Sequence, residues 1–145
     1  MNHGGGHLKM IKQGKIKGVL YKELIPYPDD RGYFIEVAKE GELFIPVKQT
    51  SFTVTHSGII KAFHWHKKQT DLWFGVSGRA RVVLYDLREN SPTKGQFEEF
   101  YIGEPKPILL LIPPGVAHGY QVIGNKNFSL LYHTDQTYDP NNPDE

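Results

Sequence analysis

The sequence predicts an all-β protein, a barrel or sandwich of about nine short strands. Segments of strand length that are apolar, or that alternate apolar and polar residues, recur along the chain. Fifteen glycines and ten prolines are scattered between these segments, as frequent turns require. No segment has the apolar spacing of a convincing amphipathic helix. With 145 residues, the chain has the length of one domain with one buried core.

The predicted elements follow a polar, glycine-rich stretch of about six residues, which we expect to be a flexible N-terminus. A first strand is predicted at residues 16–24, and residues 25–30, with two prolines, predict a turn. Residues 107–112 form a continuous apolar run between prolines, which is typical of a strand buried on both faces. The other predicted strands are residues 31–37, 44–55, two within 58–78, 78–86, 97–101, 118–123 and 128–133.

Composition places the chain among ordinary water-soluble globular proteins. Hydrophobic residues make up 39% and charged residues 23%, and the net charge of +1 gives no reason to expect nucleic acid or an anionic membrane as a partner. No apolar run approaches the roughly 18 residues that a membrane span needs, and no signal-peptide pattern opens the chain. The absence of cysteine excludes disulfides and thiol chemistry and fits a reducing compartment, so we expect a cytoplasmic protein.

A histidine-rich stretch is the strongest indication of a functional site. His64 and His66 lie one residue apart, so within a strand their side chains would share one face. Asp71 follows in the same stretch, and His118 ends the later segment PPGVAH, which is expected to bring a third imidazole to the same wall. Burying two imidazoles and a carboxylate costs free energy unless they have partners or a task.

These four residues allow two interpretations, which the residues alone leave open. His64, His66, Asp71 and His118 form a set of three histidines and one carboxylate that suits a divalent transition metal such as Mn, Fe, Ni or Zn. Alternatively, they are hydrogen-bonded polar groups of a cavity without metal, and Asp71 pairs with one histidine. Such a histidine would still be a competent base, because the imidazole pKa lies near the working pH of an enzyme.

The spacing of the cluster resembles that of a known superfamily. Gly-x5-His-x-His-x4-carboxylate-x6-Gly at residues 58–78, followed by Pro-x-Gly-x2-His at residues 113–118, is similar to the paired motifs of the cupins, which are double-stranded β-helix jelly rolls. The resemblance implies a single cupin-like jelly-roll domain over residues 1–145. The chain also resembles the dTDP-4-dehydrorhamnose 3,5-epimerase family of sugar-nucleotide enzymes in four collinear blocks, residues 29–36, 86–95, 112–120 and 131–140.

This resemblance implies roles for individual residues. His64 falls on the family's catalytic base and Tyr132 on its proton donor. Asp71 falls at the catalytic centre, where the family has a lysine that stabilises the enolate oxygen and where a carboxylate would repel the developing charge. The family's aspartate that orients the base falls beyond residue 145, and Asp135 and Asp139 are the candidates to replace it. The residues implied in substrate binding are Arg31, Glu36, Gln49, Ser51 in place of an asparagine, Lys61 in place of an arginine, His66, His118, and Tyr138 as an aromatic residue against the sugar.

We therefore expect a homodimeric epimerase that acts on a dTDP-4-keto-6-deoxyhexose at C3, C5 or both, by proton transfer between histidine and tyrosine, without a cofactor, in polysaccharide biosynthesis. Three alternatives stay open. The segment from His64 to Lys68 is similar to the His-x-His-Lys-Lys of related sugar 3,4-ketoisomerases. The four-residue set also suits a metal-dependent cupin enzyme with one divalent transition metal. The loss of the family lysine suits a non-catalytic sugar-binding cupin.

Overall fold

Twelve β-strands form the regular structure of this computed structural model, which describes residues 11–145. The predicted flexible N-terminus lies outside the described residues. Within residues 11–145 there is no helix, and therefore none of the length and apolar character needed to cross a bilayer. In chain order the strands are β1 (Ile11–Gln13), β2 (Leu20–Glu23), β3 (Tyr27–Asp29), β4 (Gly32–Phe34), β5 (Gln49–Thr55), β6 (Ile60–His64), β7 (Asp71–Ser77), β8 (Arg79–Asp86), β9 (Phe97–Gly103), β10 (Ile108–Ile112), β11 (Val116–Ile123) and β12 (Phe128–Thr134).

The strands form two antiparallel sheets packed face to face, in agreement with the predicted jelly roll. One sheet has six strands in the order β1-β2-β10-β7-β12-β5, and the other has four in the order β6-β11-β8-β9. β3 and β4 form a separate hairpin. Neighbouring strands come from distant parts of the chain, since β7 pairs with both β10 and β12. The two sheets therefore bring together side chains that are far apart in sequence.

The main core lies between the two sheets. On β8, Ala80, Val82 and Leu84 are fully buried, whereas the alternating residues Arg79 and Arg81 are not. This is the two-residue period of a strand with one face toward the core and one toward solvent. The buried side chains of β8 belong to one apolar cluster with residues of β7, β9, β10, β11 and β12. Removal of this apolar surface from water is the main stabilising contribution to the fold.

A second apolar cluster covers the outer face of the six-stranded sheet. Leu72 and Phe74 of β7 and Leu109 of β10 pack there against apolar side chains from the segment between β4 and β5. Leu110, the next residue of β10, belongs to the main core. β10 is therefore buried on both faces, as its continuous apolar run predicted.

The N-terminal part of the chain differs most from the prediction. Residues 16–24 do not form one strand, because a turn precedes β2 and the Glu98 carboxylate accepts hydrogen bonds from the backbone N–H groups of Lys15 (2.7 Å) and Ile16 (3.1 Å). These bonds replace those of a strand partner. Residues 25–30 are not a simple turn, since β3 and β4 pair as a hairpin with residues 30 and 31 at its tip. The predicted strand 44–55 begins only at Gln49, because the residues before it cover the outer cluster.

One buried carboxylate organises the loop between β8 and β9. Asp86 accepts hydrogen bonds from Arg88 Nε (2.9 Å), Arg88 N–H (3.0 Å), Ser91 Oγ (2.6 Å) and Thr93 Oγ1 (2.7 Å). Burial acts to raise the pKa of Asp86, but these hydrogen bonds outweigh it and hold the pKa well below its usual range. The segment 86–95 is therefore a structural element of the fold.

We predict that Asp86→Ala lowers the free energy of unfolding by about 2–4 kcal/mol, because Arg88, Ser91 and Thr93 lose their shared acceptor. Urea denaturation at pH 7 measures this change, and Glu89→Ala, an exposed carboxylate of the same loop, is the control. The folded-state pKa of Asp86 is lowered, so its contribution is present above the ordinary carboxyl pKa of about 4 and is lost as the pH falls below that value. Equal stability of the two variants at pH 7 would contradict the prediction.

Candidate active site

A cavity of about 910 Å³ opens between the two sheets, a volume in the range of small-molecule binding sites. Its walls come from β5, β6, β7, β11 and β12, from the connection 65–70 between β6 and β7, and from the C-terminal segment after β12. The polar and aromatic residues on these walls are Gln49, Thr53, Lys61, His64, His66, Lys67, Lys68, Gln69, Asp71, Trp73, His118, Tyr120, Tyr132, Thr134, Gln136, Thr137, Tyr138, Asp139, Asn142, Asp144 and Glu145.

The three histidines of the predicted cluster all line this cavity, but His64 and His66 do not share a strand. β6 ends at His64, which pairs across the sheet with His118 of β11. His66 lies in the connection 65–70, where the chain passes from the four-stranded sheet to the six-stranded sheet, and its carbonyl accepts a hydrogen bond from Gly115 N–H (2.8 Å). The prediction of a common strand face is therefore wrong, and the two side chains reach the cavity from different elements.

Asp71 lies at the buried end of the cavity. It is the first residue of β7 and only 4% exposed. Because side chains alternate along a strand, Asp71 and Trp73 point away from the outer cluster, to which Leu72 belongs. Its Oδ1 accepts a hydrogen bond from Gln69 Nε2 (2.7 Å), and its Oδ2 accepts one from Trp73 Nε1 (3.0 Å). The carboxylate therefore has two neutral donors in addition to the histidines beside it.

Two imidazoles flank this carboxylate at equal distances. His66 Nε2 lies 4.0 Å from Asp71 Oδ1, and His118 Nε2 lies 4.0 Å from Asp71 Oδ2. The centroids of the two rings are 5.4 Å apart. One donor atom from each of the three residues lies within 4.8 Å of the others, whereas His64 is not part of this group. The structure thus brings together three of the four residues that the sequence suggested as metal ligands.

Backbone carbonyls determine which nitrogen of each flanking imidazole carries a proton. A carbonyl only accepts, so His118 Nδ1 donates to Val116 O (3.1 Å) and His66 Nδ1 donates to Asp144 O (2.6 Å). In a neutral ring the lone pair then lies on Nε2, the nitrogen that faces Asp71. Burial lowers the pKa of His118, against the opposing effect of the Asp71 charge, and this shift favours the neutral ring.

The C-terminal segment closes one side of the cavity. The Asp144 carboxylate accepts hydrogen bonds from three successive backbone N–H groups, those of Lys67 (2.7 Å), Lys68 (2.9 Å) and Gln69 (2.9 Å). Burial acts to raise the pKa of Asp144, but these donors outweigh it and the pKa lies below its usual value. Asp144 therefore holds the connection that carries His66.

The last residue provides a partner for His64. A carboxylate oxygen of Glu145 contacts Nδ1 of His64, whose side chain is about half exposed. A carboxylate accepts, so Nδ1 carries the proton and Nε2 of the neutral ring is free to act as a base. Asp135 and Asp139, the candidates for this role from sequence, do not fill it, because both carboxylates accept hydrogen bonds from backbone N–H groups instead.

Several other residues predicted to act on substrate line the same cavity. Tyr132 lies on β12, in the sheet opposite β6, and is partly buried. Lys61 Nζ lies 3.5 Å from Thr53 Oγ1. Gln49 Oε1 accepts a hydrogen bond from Tyr138 N–H (2.9 Å), which attaches the C-terminal segment to β5 and leaves the Tyr138 ring exposed on the cavity wall.

Three residues predicted to bind substrate lie outside the cavity wall. Ser51 accepts a hydrogen bond from Gln49 Nε2 (3.2 Å). Arg31 lies at the tip of the β3–β4 hairpin, where it is exposed and pairs with Asp29 (2.7 Å). Glu36 is also exposed and pairs with a nearby lysine (3.3 Å). Within the single chain these side chains do not line the cavity, and their predicted contacts with substrate stay a prediction.

Sequence reasoning missed four residues that hold the site together, namely Gln69, Trp73, Asp144 and Glu145. Trp73 follows Asp71 by two residues, so strand alternation already placed its side chain on the same face. Asp144 and Glu145 could not be predicted in this way, because their roles depend on the packing of the C-terminal segment against the connection 65–70. No local pattern in residues 138–145, which read as polar surface, indicates that packing.

The fold and the cavity define the class of protein, a cupin-type jelly roll with histidine, tyrosine and carboxylate groups around a polar pocket. A family model described as dTDP-4-dehydrorhamnose 3,5-epimerase matches residues 13–145. The chain therefore belongs to the dTDP-4-dehydrorhamnose 3,5-epimerase family, as its motifs predicted.

Individual relatives agree with this assignment. The chain is 50% identical over 131 residues to the spore coat polysaccharide biosynthesis protein SpsL of Bacillus subtilis, covering 90% of this chain and 87% of that protein. It is 33% identical over 133 residues to the probable low-salt glycan biosynthesis epimerase of Haloferax volcanii, covering 90% of this chain and 85% of that protein. A crystal structure of a dTDP sugar isomerase from Desulfovibrio desulfuricans matches with a TM-score of 0.82 and 27% identity over 90% of this chain and 87% of that one, which confirms the jelly-roll fold.

We predict that Asp144→Ala loosens the connection 65–70. Loss of hydrogen bonds to a charged acceptor should speed amide hydrogen exchange at Lys67, Lys68 and Gln69 by on the order of tenfold or more. NMR-detected exchange measures this, with Asp139→Ala as the control, because the Asp139 carboxylate bonds within its own segment. Unchanged protection in Asp144→Ala would show that other contacts hold the connection.

Proposed function

We propose that this protein is an epimerase that acts on a dTDP-linked 4-keto-6-deoxyhexose in polysaccharide biosynthesis in the cytoplasm. Family membership and the names of the relatives support the reaction class and the setting. The lack of cysteine fits a reducing compartment. The observation that carries the proposal is the placement of His64 and Tyr132 on opposite sheets around one cavity.

His64 is the proposed base. A 4-keto group makes the hydrogens on C3 and C5 acidic, and a base with a pKa near the working pH can remove one of them. His64 Nε2 takes the proton, and the electron pair of the C–H bond moves into the enolate. Glu145, which contacts Nδ1, holds the ring in the required tautomer and stabilises the imidazolium that forms.

Tyr132 is the proposed acid. Inversion at carbon requires that the new proton arrive on the face opposite to the base. His64 is carried by β6 of the four-stranded sheet and Tyr132 by β12 of the six-stranded sheet, so the two groups approach a bound sugar from different walls. The Tyr132 hydroxyl gives its proton to the carbon, the enolate becomes a ketone again, and exchange with solvent restores both side chains.

Basic and aromatic groups on the wall suit the rest of the substrate. Lys61, Lys67 and Lys68 all line the cavity, and each offers a point charge to a diphosphate. The exposed ring of Tyr138 offers an aromatic face to the sugar. Gln49 bonds through Nε2 to Ser51 and through Oε1 to the backbone N–H of Tyr138, so it holds the segment that carries this ring.

Deuterium exchange at C3 and C5 of a dTDP-4-keto-6-deoxyhexose, followed by NMR in deuterated water, tests the proposal. We predict that the wild type catalyses exchange, and that His64→Ala slows it by at least about 100-fold. Tyr132→Phe should still allow removal of the proton but yield little inverted sugar. His56→Ala is the control, because His56 is exposed and does not line the cavity.

The products of the same experiment separate the alternatives. Hydrogen transfer between C3 and C4 that yields a 3-keto sugar would identify a 3,4-ketoisomerase. Binding of the nucleotide sugar without exchange at any position would identify a non-catalytic sugar-binding protein. Exchange at the wild-type rate in a folded His64→Ala variant would remove His64 from the mechanism.

We propose further that the protein is a homodimer formed through its open sheet edges. β5 and β6 are edge strands of the two sheets, and Phe52, Val54, Ile60 and Phe63 on them are each at least half exposed. Apolar edge strands are sites of pairing with another chain, and two-fold dimers are the commonest assembly. Arg31 does not line the cavity of its own chain. It would therefore contact the nucleotide bound to the partner subunit, or the part of a nucleotide that extends out of its own cavity.

Sedimentation velocity and variant mixing test this arrangement. We predict that the wild type is a dimer and that Ile60→Lys converts it to a monomer. The control is Leu87→Lys, at a partly exposed apolar position away from these edges, which should leave the dimer intact. If Arg31 acts across the dimer, mixing the Arg31→Ala and His64→Ala variants restores deuterium exchange. In each hybrid dimer, one site then has His64 from its own subunit and Arg31 from the partner subunit. A monomeric wild type would rule out the dimer, and absence of recovery in verified hybrids would rule out the contact across it.

A further inference from the structure

We infer that His66, Asp71 and His118 form a three-ligand site for a divalent transition cation, and that His64 lies outside this site as a free base. The role of the cation rests on the proposed function, because it would provide positive charge in the cavity where the family has a lysine.

The orientation of the two imidazoles supports the site. Both Nδ1 atoms donate to backbone carbonyls, His118 to Val116 O (3.1 Å) and His66 to Asp144 O (2.6 Å). Metal-binding histidines in proteins commonly donate their second ring N–H in this way, which fixes the ring and directs the other nitrogen to the metal. Here both Nε2 atoms face the same carboxylate, that of Asp71.

The distances also fit a shared cation. Each Nε2 lies 4.0 Å from a carboxylate oxygen of Asp71, which is too long for a hydrogen bond. Ligand atoms that each lie about 2.0–2.2 Å from one tetrahedral Zn²⁺ ion are separated from one another by about 3.3–3.6 Å. The donor atoms of the three residues lie within 4.8 Å of one another, so rotations of the side chains that shorten these separations by on the order of 1 Å would complete the coordination.

The charge balance at the buried end of the cavity also favours a bound cation. Asp71 is 4% exposed, and the donors that contact it, Gln69 Nε2 (2.7 Å) and Trp73 Nε1 (3.0 Å), are neutral. Gln69 Nε2 also lies 3.4 Å from His66 Nε2, which agrees with an unprotonated nitrogen there. Within residues 11–145 no lysine or arginine forms an ion pair with Asp71. A bound cation would supply the charge that these dipoles supply only in part.

The donor set indicates the class of ion. Two imidazoles and one carboxylate with open coordination positions are ligands of catalytic Zn²⁺ and of non-haem Fe²⁺ sites. When bound, such a cation stabilises negative charge on a keto oxygen, the contribution that a lysine would otherwise make. His64 keeps its contact with Glu145 and stays available for proton transfer, since it is not one of the three ligands.

Calorimetric titration of the metal-free protein with ZnCl₂, with visible absorption of the Co²⁺-loaded protein, tests the site. We expect one equivalent of metal, with the dissociation constant raised by at least about 100-fold in Asp71→Asn and His118→Gln. His64→Ala should bind metal like the wild type. His66→Gln, on a connection rather than in a buried strand, gives the same comparison if the other variants fail to fold. The chain also carries His3 and His7, outside the described residues, so the titration is repeated with both changed to alanine.

Each outcome bears on one statement. A folded wild type that binds neither Zn²⁺ nor Co²⁺ would overturn the site, while exchange at C3 or C5 by that same protein would leave the proposed epimerase intact. Loss of binding in His64→Ala, or on removal of His3 and His7, would overturn the three-ligand assignment. Equal exchange rates with and without bound metal would overturn its catalytic role. Metal binding without any exchange would keep the site and reject the proposed function.

Discussion

A buried carboxylate, that of Asp71, is the constraint on which the rest of the site depends. A charge that is 4% exposed costs free energy unless donors surround it, so its neighbours are restricted to groups that can donate or hold a counter-charge. Trp73 provides one such donor. Its ring also packs edge-on against the rings of His118 and Tyr120 on β11 of the facing sheet, with centroid distances of 5.3 Å and 5.8 Å. The boundary between the apolar core and the polar cavity therefore runs through the indole of Trp73, apolar on its faces and polar at its nitrogen.

Strand periodicity accounts for the side chains of β7 on the inner wall of the cavity, of which Asp71 was predicted from the sequence but Trp73 was not, and it does not account for the rim. The alternation of β7 places Asp71 and Trp73 inward and Leu72 outward, and this pattern can be read from the sequence alone. The spacing of His64 and His66 fits the same rule, yet β6 ends at His64. Two residues separated by one position fit the two-residue period of a strand whether or not the strand continues through them. Periodicity therefore could not show that the chain leaves β6 at His64 and crosses to the other sheet.

The motifs that identified the family differ in what they do in the fold. Residues 86–95 form a loop around the buried Asp86 carboxylate, and they position β8 and β9 rather than substrate. Residues 29–36 form an exposed hairpin outside the cavity, whereas residues 112–120 and 131–140 bring His118 and Tyr132 to its wall. A matching motif thus indicates kinship and fold, and the role of each residue follows only from its contacts.

The two closely spaced histidines are divided between two carboxylates, and this division decides which chemistry the cavity can hold. One imidazole nitrogen cannot bind a cation and accept a proton from carbon at the same time. His66 faces Asp71 and His64 contacts Glu145, so the geometry would let the two proposed tasks fall on different rings. Both arrangements depend on the same short segment, because the carbonyl of Asp144 accepts from His66 and the next residue contacts His64. Movement of this segment would release both tautomers together, which makes the docking of residues 144 and 145 a condition for either task rather than a detail of the C-terminus.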